Sequence, residues 1–200
     1  GNIWWESNIE HFFPIGEVNG SHGVYRPGGA ALNSGQVGGY RAAEFISAKY
    51  NNNPLEVNSF IKNSKDKIDS LIEYCEKLSN SVDSHSDVCD SIRDEIQNRM
   101  TIYGSHIREI VSVKNALKEA YTLKNEIKNK SKIKSKSELL KIFQNENLCL
   151  AHIAYLESIR EYLEKGGGSR GSYLVMDPNG EIIYDKLSSY WKFKPENPDL

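Results

Sequence analysis

Between Pro54 and Lys165 apolar side chains return every three or four residues, the period of a helix that buries one face. A first stripe, Val57, Phe60, Ile61, Ile68, Leu71, Ile72, Cys75 and Leu78, predicts a helix that begins near Pro54 and ends at Ser79 to Ser81. A second runs from Val88 through Ile92, Ile96, Met100 and Tyr103 to Ile107, Ile110, Val113, Leu117 and Tyr121. It predicts one helix of about forty residues, with Gly104 as the place where it breaks or kinks. The third stripe takes in Leu139, Leu140, Phe143, Leu150, Ile153, Leu156, Ile159 and Leu163. Three helices that each carry an apolar face need one another, so an antiparallel three-helix bundle is expected over residues 54–165.

The flanks follow a different rule. From Ile3 to Arg41 glycines crowd the chain at 16, 20, 23, 28, 29, 35, 38 and 39, which signals tight turns and close backbone approach before a helix of small residues from about Ala31. After Gly166 the run Ser172-Tyr-Leu-Val-Met176, the turn Asp177-Pro178-Asn179-Gly180 and Glu181-Ile-Ile-Tyr184 predict a β-hairpin. The expected fold class is mainly α, in three parts: a glycine-rich arm over 1–53, the bundle over 54–165, and a small β element with a tail over 166–200.

Composition narrows the function classes. With 25 basic against 27 acidic residues the net charge is -2, so no overall field draws the chain to nucleic acid. Mean hydropathy is -0.56 and no apolar run approaches the ~20 residues of a membrane span. Cys75, Cys89 and Cys149 are odd in number and form no C-x-x-C pair, and no signal peptide precedes them, so a reducing, cytoplasmic setting is expected. The only methionines are Met100 and Met176, and Gly1 reads as the residue left by a removed tag, so the chain is expected to be a piece of a longer protein. The six lysines of 124–136 face the single acid Glu126 without interleaved aromatics, the pattern of a solvated loop. His85 and Cys89 stand i, i+4 but lack a third metal ligand, and His106 and His152 fall on helices as packing or surface residues.

Residues 13–46 carry the chemistry. An apolar stretch ends at Gly16, the carboxylate of Glu17 follows, a loop holds His22 and Arg26, and Gly28-Gly29 leads into the small-residue helix. Small residues let a helix approach a flat ligand, and the free N–H groups of its first turn favour negative charge there.

The order Gly16-Glu17, then His22-Gly23-Val24-Tyr25-Arg26-Pro27-Gly28-Gly29-Ala30-Ala31-Leu32, resembles the end of the FAD-binding domain in the succinate dehydrogenase and fumarate reductase flavoproteins. Their usual string is His-Gly-Ala-Asn-Arg-Leu-Gly-Gly-Asn-Ser-Leu. In that family a three-helix C-terminal domain follows, and its last helix commonly ends in Glu-Ser-Arg-Gly-x-His; Gly168-Ser169-Arg170-Gly171-Ser172-Tyr173 holds that place here. The resemblance implies an FAD-dependent oxidoreductase. Glu17 would hold hydroxyls of the adenosine ribose, Gly28 and Gly29 would let the backbone approach, and Ala31 and Leu32 would offer N–H groups to the flavin pyrimidine edge. Arg26 would grip a substrate carboxylate, with His22 supporting the loop beside it. Ala31 replaces the family's serine, Tyr25-Arg26-Pro27 replaces Asn-Arg-Leu, and Gly168 and Tyr173 replace glutamate and histidine, which points to an acid other than succinate or fumarate.

The chain has no strand followed by G-x-G-x-x-G and a helix, and it lacks the capping domain that carries the family's proton-donating arginine. No catalytic residue is therefore expected in it, and its partners would be the FAD and capping domains of the same protein and a small carboxylate. An isolated arm is expected to be mobile or to pair with a second copy through Trp4, Trp5, Phe12 and Phe13. The other reading is a helical interaction module whose arm binds a partner protein.

Overall fold

Helices dominate, as the periodicity requires. The computed structural model describes residues 1–20, 29–182, 184–188 and 190–199, which form α1 (Ala30–Lys49), α2 (Val57–Asn80), α3 (Val88–Tyr103), β1 (Ile107–Arg108), α4 (Ile110–Lys130), α5 (Leu139–Glu164), β2 (Leu174–Ile182) and β3 (Lys192–Lys194). The chain divides into two compact units, Gly1–Ser64 and Lys65–Leu200.

In the first unit the arm folds onto α1. The Asn2 side chain accepts from the Trp4 and Glu6 amides at 2.8 and 3.1 Å, which turns the chain back at its start. Trp4 then stacks on Phe45 at 5.7 Å, Phe13 meets Phe45 and Tyr50 edge-on, and the Arg41 guanidinium lies 5.0 Å from the Trp4 ring. Glu6, buried, accepts from Lys49 Nζ at 2.9 Å and from the Tyr50 hydroxyl, and these hydrogen bonds hold its carboxyl below the usual range. Trp5 and Phe13 are thus partly covered by the arm's own helix, while Trp4 and Phe12 keep exposed faces.

The second unit is built on α3, α4 and α5. Ile92 and Ile96 of α3, Val113, Leu117, Ala120 and Leu123 of α4, and Ile153, Leu156 and Ile159 of α5 share one core, closed at one end by Val175 of β2. The pairs Lys114–Glu164 and Tyr121–Glu157 run in descending order, so α4 and α5 are antiparallel, whereas Arg93–Asn145 and Arg99–His152 run in ascending order and set α3 parallel to α5. The C-terminal end of α2 joins a smaller cluster, in which Leu78 packs with Cys89, Ile133 and Ile142.

Three expectations change. The helix expected over 88–121 is two helices, and the bundle consists of α3, α4 and α5 rather than of the stripes starting at 57, 88 and 139. The break falls at Gly104, whose N–H still bonds the Met100 carbonyl at 2.9 Å, after which the His106 carbonyl accepts from Leu174 N at 2.7 Å and the chain enters a sheet. Arg108 stabilises the break by donating to the Ser105 and Gly104 carbonyls at 3.0 and 3.3 Å, with its guanidinium 3.7 Å over the Tyr173 ring. The expected hairpin is also rearranged: β2 runs through Asp177-Pro178-Asn179-Gly180, and Met176 and Glu181 both register on Phe193 of β3. Asp177 Oδ1 does accept from Asn179 N at 2.9 Å, but that turn forms a bulge in one strand rather than the corner between two. β1 completes the sheet, parallel to β2, in the order β1-β2-β3. The lysine-rich stretch divides between the end of α4 and the following loop, where Lys130 pairs with Glu126 and Lys134 with Asp90 and Glu138.

Candidate functional site at the start of α1

Gly29 opens α1 with φ 84°, a left-handed conformation that glycine takes without strain. Among the described residues no side chain caps the helix, and its first intrahelical bond is from Asn33 N to the Gly29 carbonyl at 3.4 Å. The N–H groups of Ala30, Ala31 and Leu32 therefore have no acceptor within the helix, and the positive end of its dipole is left for a group from outside. Leu32 is 69% exposed, so the first turn is accessible.

Glu17 lies on a 3-10 turn, Gly16–Asn19, closed by Gly20 in the left-handed region with its N–H on the Glu17 carbonyl at 2.9 Å. This turn packs on α1 because both surfaces lack side chains: a Cβ on Gly16 would stand 3.9 Å from the Gly35 Cα. At Gly38 the approach is closer, since a Cβ would stand 2.8 Å from the Trp5 indole nitrogen and 3.2 Å from Ile15. Glycine spacing along α1 thus lets the arm, the turn and the helix assemble as one piece. Of the residues expected to form a site, Glu17, Gly29, Ala31 and Leu32 all lie in this unit, where the turn that carries Glu17 meets α1 near Gly35. His22, Arg26 and Gly28 lie outside the described residues.

The second unit adds features that motif reading did not reach. A cleft of about 630 Å³ is lined by Tyr103, Glu109, Met176, Asp177, Tyr190 and Lys192. Inside the bundle, Arg99 and His152 are both buried and in contact, and Asn145 is buried with its side-chain amide on the Cys89 carbonyl at 2.7 Å. These polar groups occupy helical positions with apolar neighbours, and sequence alone gives no sign of whether such a position faces in. His85 and Cys89 gain no further ligand, and no cluster that could hold a metal occurs among the described residues. Burial pushes the Cys89 and Cys149 thiols up, which leaves them as packing groups rather than nucleophiles. Gly168, where the flavoprotein motif has glutamate, is pressed against the Pro195 carbonyl, and a Cβ there would stand 1.6 Å from that oxygen.

Comparison of the chain with protein-family models, with curated proteins and with solved structures finds no match. No helix among the described residues is long and apolar enough to cross a membrane.

Proposed function

We propose that the chain is the C-terminal part of a cytoplasmic FAD-dependent oxidoreductase of the succinate dehydrogenase and fumarate reductase type, and that its first unit completes the flavin and carboxylate site. The observation that carries this reading is the start of α1: a first turn with no side-chain cap among the described residues, opened by a left-handed Gly29, on the helix that the Glu17 turn packs against, and directly after His22-Gly-x-x-Arg26-x-Gly28 in the sequence.

These residues suit two edges of FAD. Glu17 would accept from the ribose hydroxyls, and the Ala31 and Leu32 amides would donate to the pyrimidine edge of the flavin ring. When bound, the flavin supplies hydride transfer to or from a carboxylate substrate. This chain's own residues bind and orient: Arg26 offers a planar fork to the substrate carboxylate, the helix start favours negative charge at the ring, and Gly28 and Gly29 admit the ligand close to the backbone. In this reading the proton-donating arginine belongs to the capping domain of the same protein rather than to this chain. The α3–α4–α5 bundle corresponds in this reading to the helical C-terminal domain of the flavoproteins, and Gly168 marks its divergence.

One observation favours a different reading, a helical interaction module. Val57, Phe60 and Ile61 of α2 are 70%, 58% and 53% exposed, an apolar face with no cover among the described residues of the first unit. In the flavoenzyme reading the preceding domains of the same protein cover it, whereas in the module reading a separate protein or a second copy does.

The two are separated with protein expressed from the whole coding region. The flavoenzyme reading expects bound FAD, loss of most of it in Glu17→Ala, and in Arg26→Ala a KM for the carboxylate raised about ten- to a hundredfold with FAD retained. A full-length protein without flavin, or variants that change neither quantity, overturns it.

A further inference from the structure

Arg99 of α3 and His152 of α5 meet inside the bundle, 6% and 2% exposed. Arg99 Nη1 lies 3.4 Å from His152 Nε2. A guanidinium has only hydrogens to give, so Nε2 must present a lone pair; the ring proton then sits on Nδ1, which donates to the Leu148 carbonyl at 3.3 Å, one turn back on α5. The contact therefore exists only while the imidazole is neutral. Burial first, and the charge of Arg99 in addition, hold the His152 imidazole below its ordinary value.

The charged groups that line the cleft beside the pair are Glu95 of α3 and Lys118, Glu119 and Lys130 of α4, of which Lys130 is paired with Glu126. From α3, Glu95 accepts from Arg99 Nη2 at 2.5 Å, and from α4, Glu119 accepts from Arg99 Nε at 3.3 Å. On α5 the neighbour is Cys149, whose thiol burial keeps protonated. Both carboxylates are engaged by Arg99 and are much more exposed than the imidazole, so neither is placed to neutralise a second buried cation. Arg99 also lines a cleft of about 520 Å³ with Glu95, Lys118 and Glu119, which gives the guanidinium room to swing outward while keeping its two carboxylates.

We propose that Arg99 and His152 form an acid-operated latch between α3 and α5, in which protonation of Nε2 removes the acceptor, sets two cations against each other and drives Arg99 into the cleft beside Glu95 and Glu119. With the latch closed, α3 and α5 are clamped along the seam that holds Ile96, Cys149 and Ile153. With it open, that seam loosens. The sign follows from the histidine: its pKa is lower folded than unfolded, so its stabilisation is full above the unfolded value of about 6.5 and is lost as pH falls from there toward the folded value.

The test uses the whole chain and two histidine variants. His152→Gln keeps an acceptor for Arg99 but does not titrate, and His106→Gln removes an exposed imidazole outside the latch. The denaturation midpoint, followed by helical circular dichroism, is expected to fall between about pH 7 and 5.5 in the unsubstituted chain and in His106→Gln, and to stay level in His152→Gln. Amide exchange over 92–99 and 149–156 should quicken across the same window only where His152 is present. Equal pH slopes for the unsubstituted chain and His152→Gln overturn the latch. Should His152→Gln fail to fold, imidazole carbon shifts and amide exchange of the unsubstituted chain decide: exchange over 92–99 and 149–156 that quickens as His152 titrates below about pH 6.5 upholds the latch, and titration at or above about pH 6.5, or exchange that does not follow it, overturns it.

Discussion

At Gly38 a methyl group has no free space: its Cβ would stand 2.8 Å from the Trp5 indole and 3.2 Å from Ile15. The unit that holds Glu17 and the start of α1 depends on that approach, because Gly38 and Ala42 are the only residues of α1 that it buries. Gly38→Ala is expected to cost about 1–3 kcal/mol of the first unit's stability by overpacking, read as an earlier loss of Trp4 and Trp5 fluorescence on heating, with the helices of the second unit unaffected. An unchanged fluorescence transition would show that the arm does not pack on α1 as described. Gly29 has a different task, since it opens α1 with a left-handed φ of 84° that a side chain would strain, while no described atom lies within 4 Å of its Cβ position. These two glycines were visible in the sequence as part of a dense cluster, but their separate reasons, close contact at one and conformation at the other, belong to the fold.

Among the elements, the turn after α5 is the most constrained. Gly168 sits against the Pro195 carbonyl, Ser169 N donates to the Lys194 carbonyl at 2.8 Å, and the Ser169 hydroxyl accepts from Val175 N at 2.9 Å. Gly168→Ala should force the C-terminal segment off this turn, so amide exchange over 192–196 is expected to rise by at least about tenfold while α3 and α4 keep their protection. Retained protection at 192–196 would contradict the close approach. The elements also show what periodicity could and could not supply. α2, α5 and the two halves of the long stripe were legible because each repeats apolar residues at helical spacing over many turns. The break at Gly104 was legible only as a location, since its cause is distant: β2 arrives from residue 174 to accept the chain at His106, and Arg108 caps the carbonyls left behind. The hairpin failed for the same reason, because β3 at 192–194 competes for both flanks of the Asp177-Pro178-Asn179-Gly180 turn. Long-range pairing leaves no local mark.

On the scale of the whole molecule the two units differ in how much they bury. Among the described residues of 1–64 only Glu6, Gly38 and Ala42 are buried, whereas the second unit has a continuous core from α3 to β2. Leu32, Val37 and Tyr40 of α1 remain 69%, 53% and 70% exposed, and so does the α2 face at Val57, Phe60 and Ile61. A unit so thinly covered opens locally at little cost, so limited proteolysis should remove the arm and α1 first and leave a helical fragment containing α3 to β3. Simultaneous loss of both parts would show that they unfold as one. The same exposure is what a flavin domain remnant would present when the rest of that domain is elsewhere in the protein. The measurement that tests this most directly is the native coding sequence upstream of Asn2. The account expects an open frame of several hundred codons that includes a strand, G-x-G-x-x-G and a helix, the fingerprint that holds the FAD pyrophosphate. An initiator methionine directly before Asn2 would contradict it and leave the chain as a binding module.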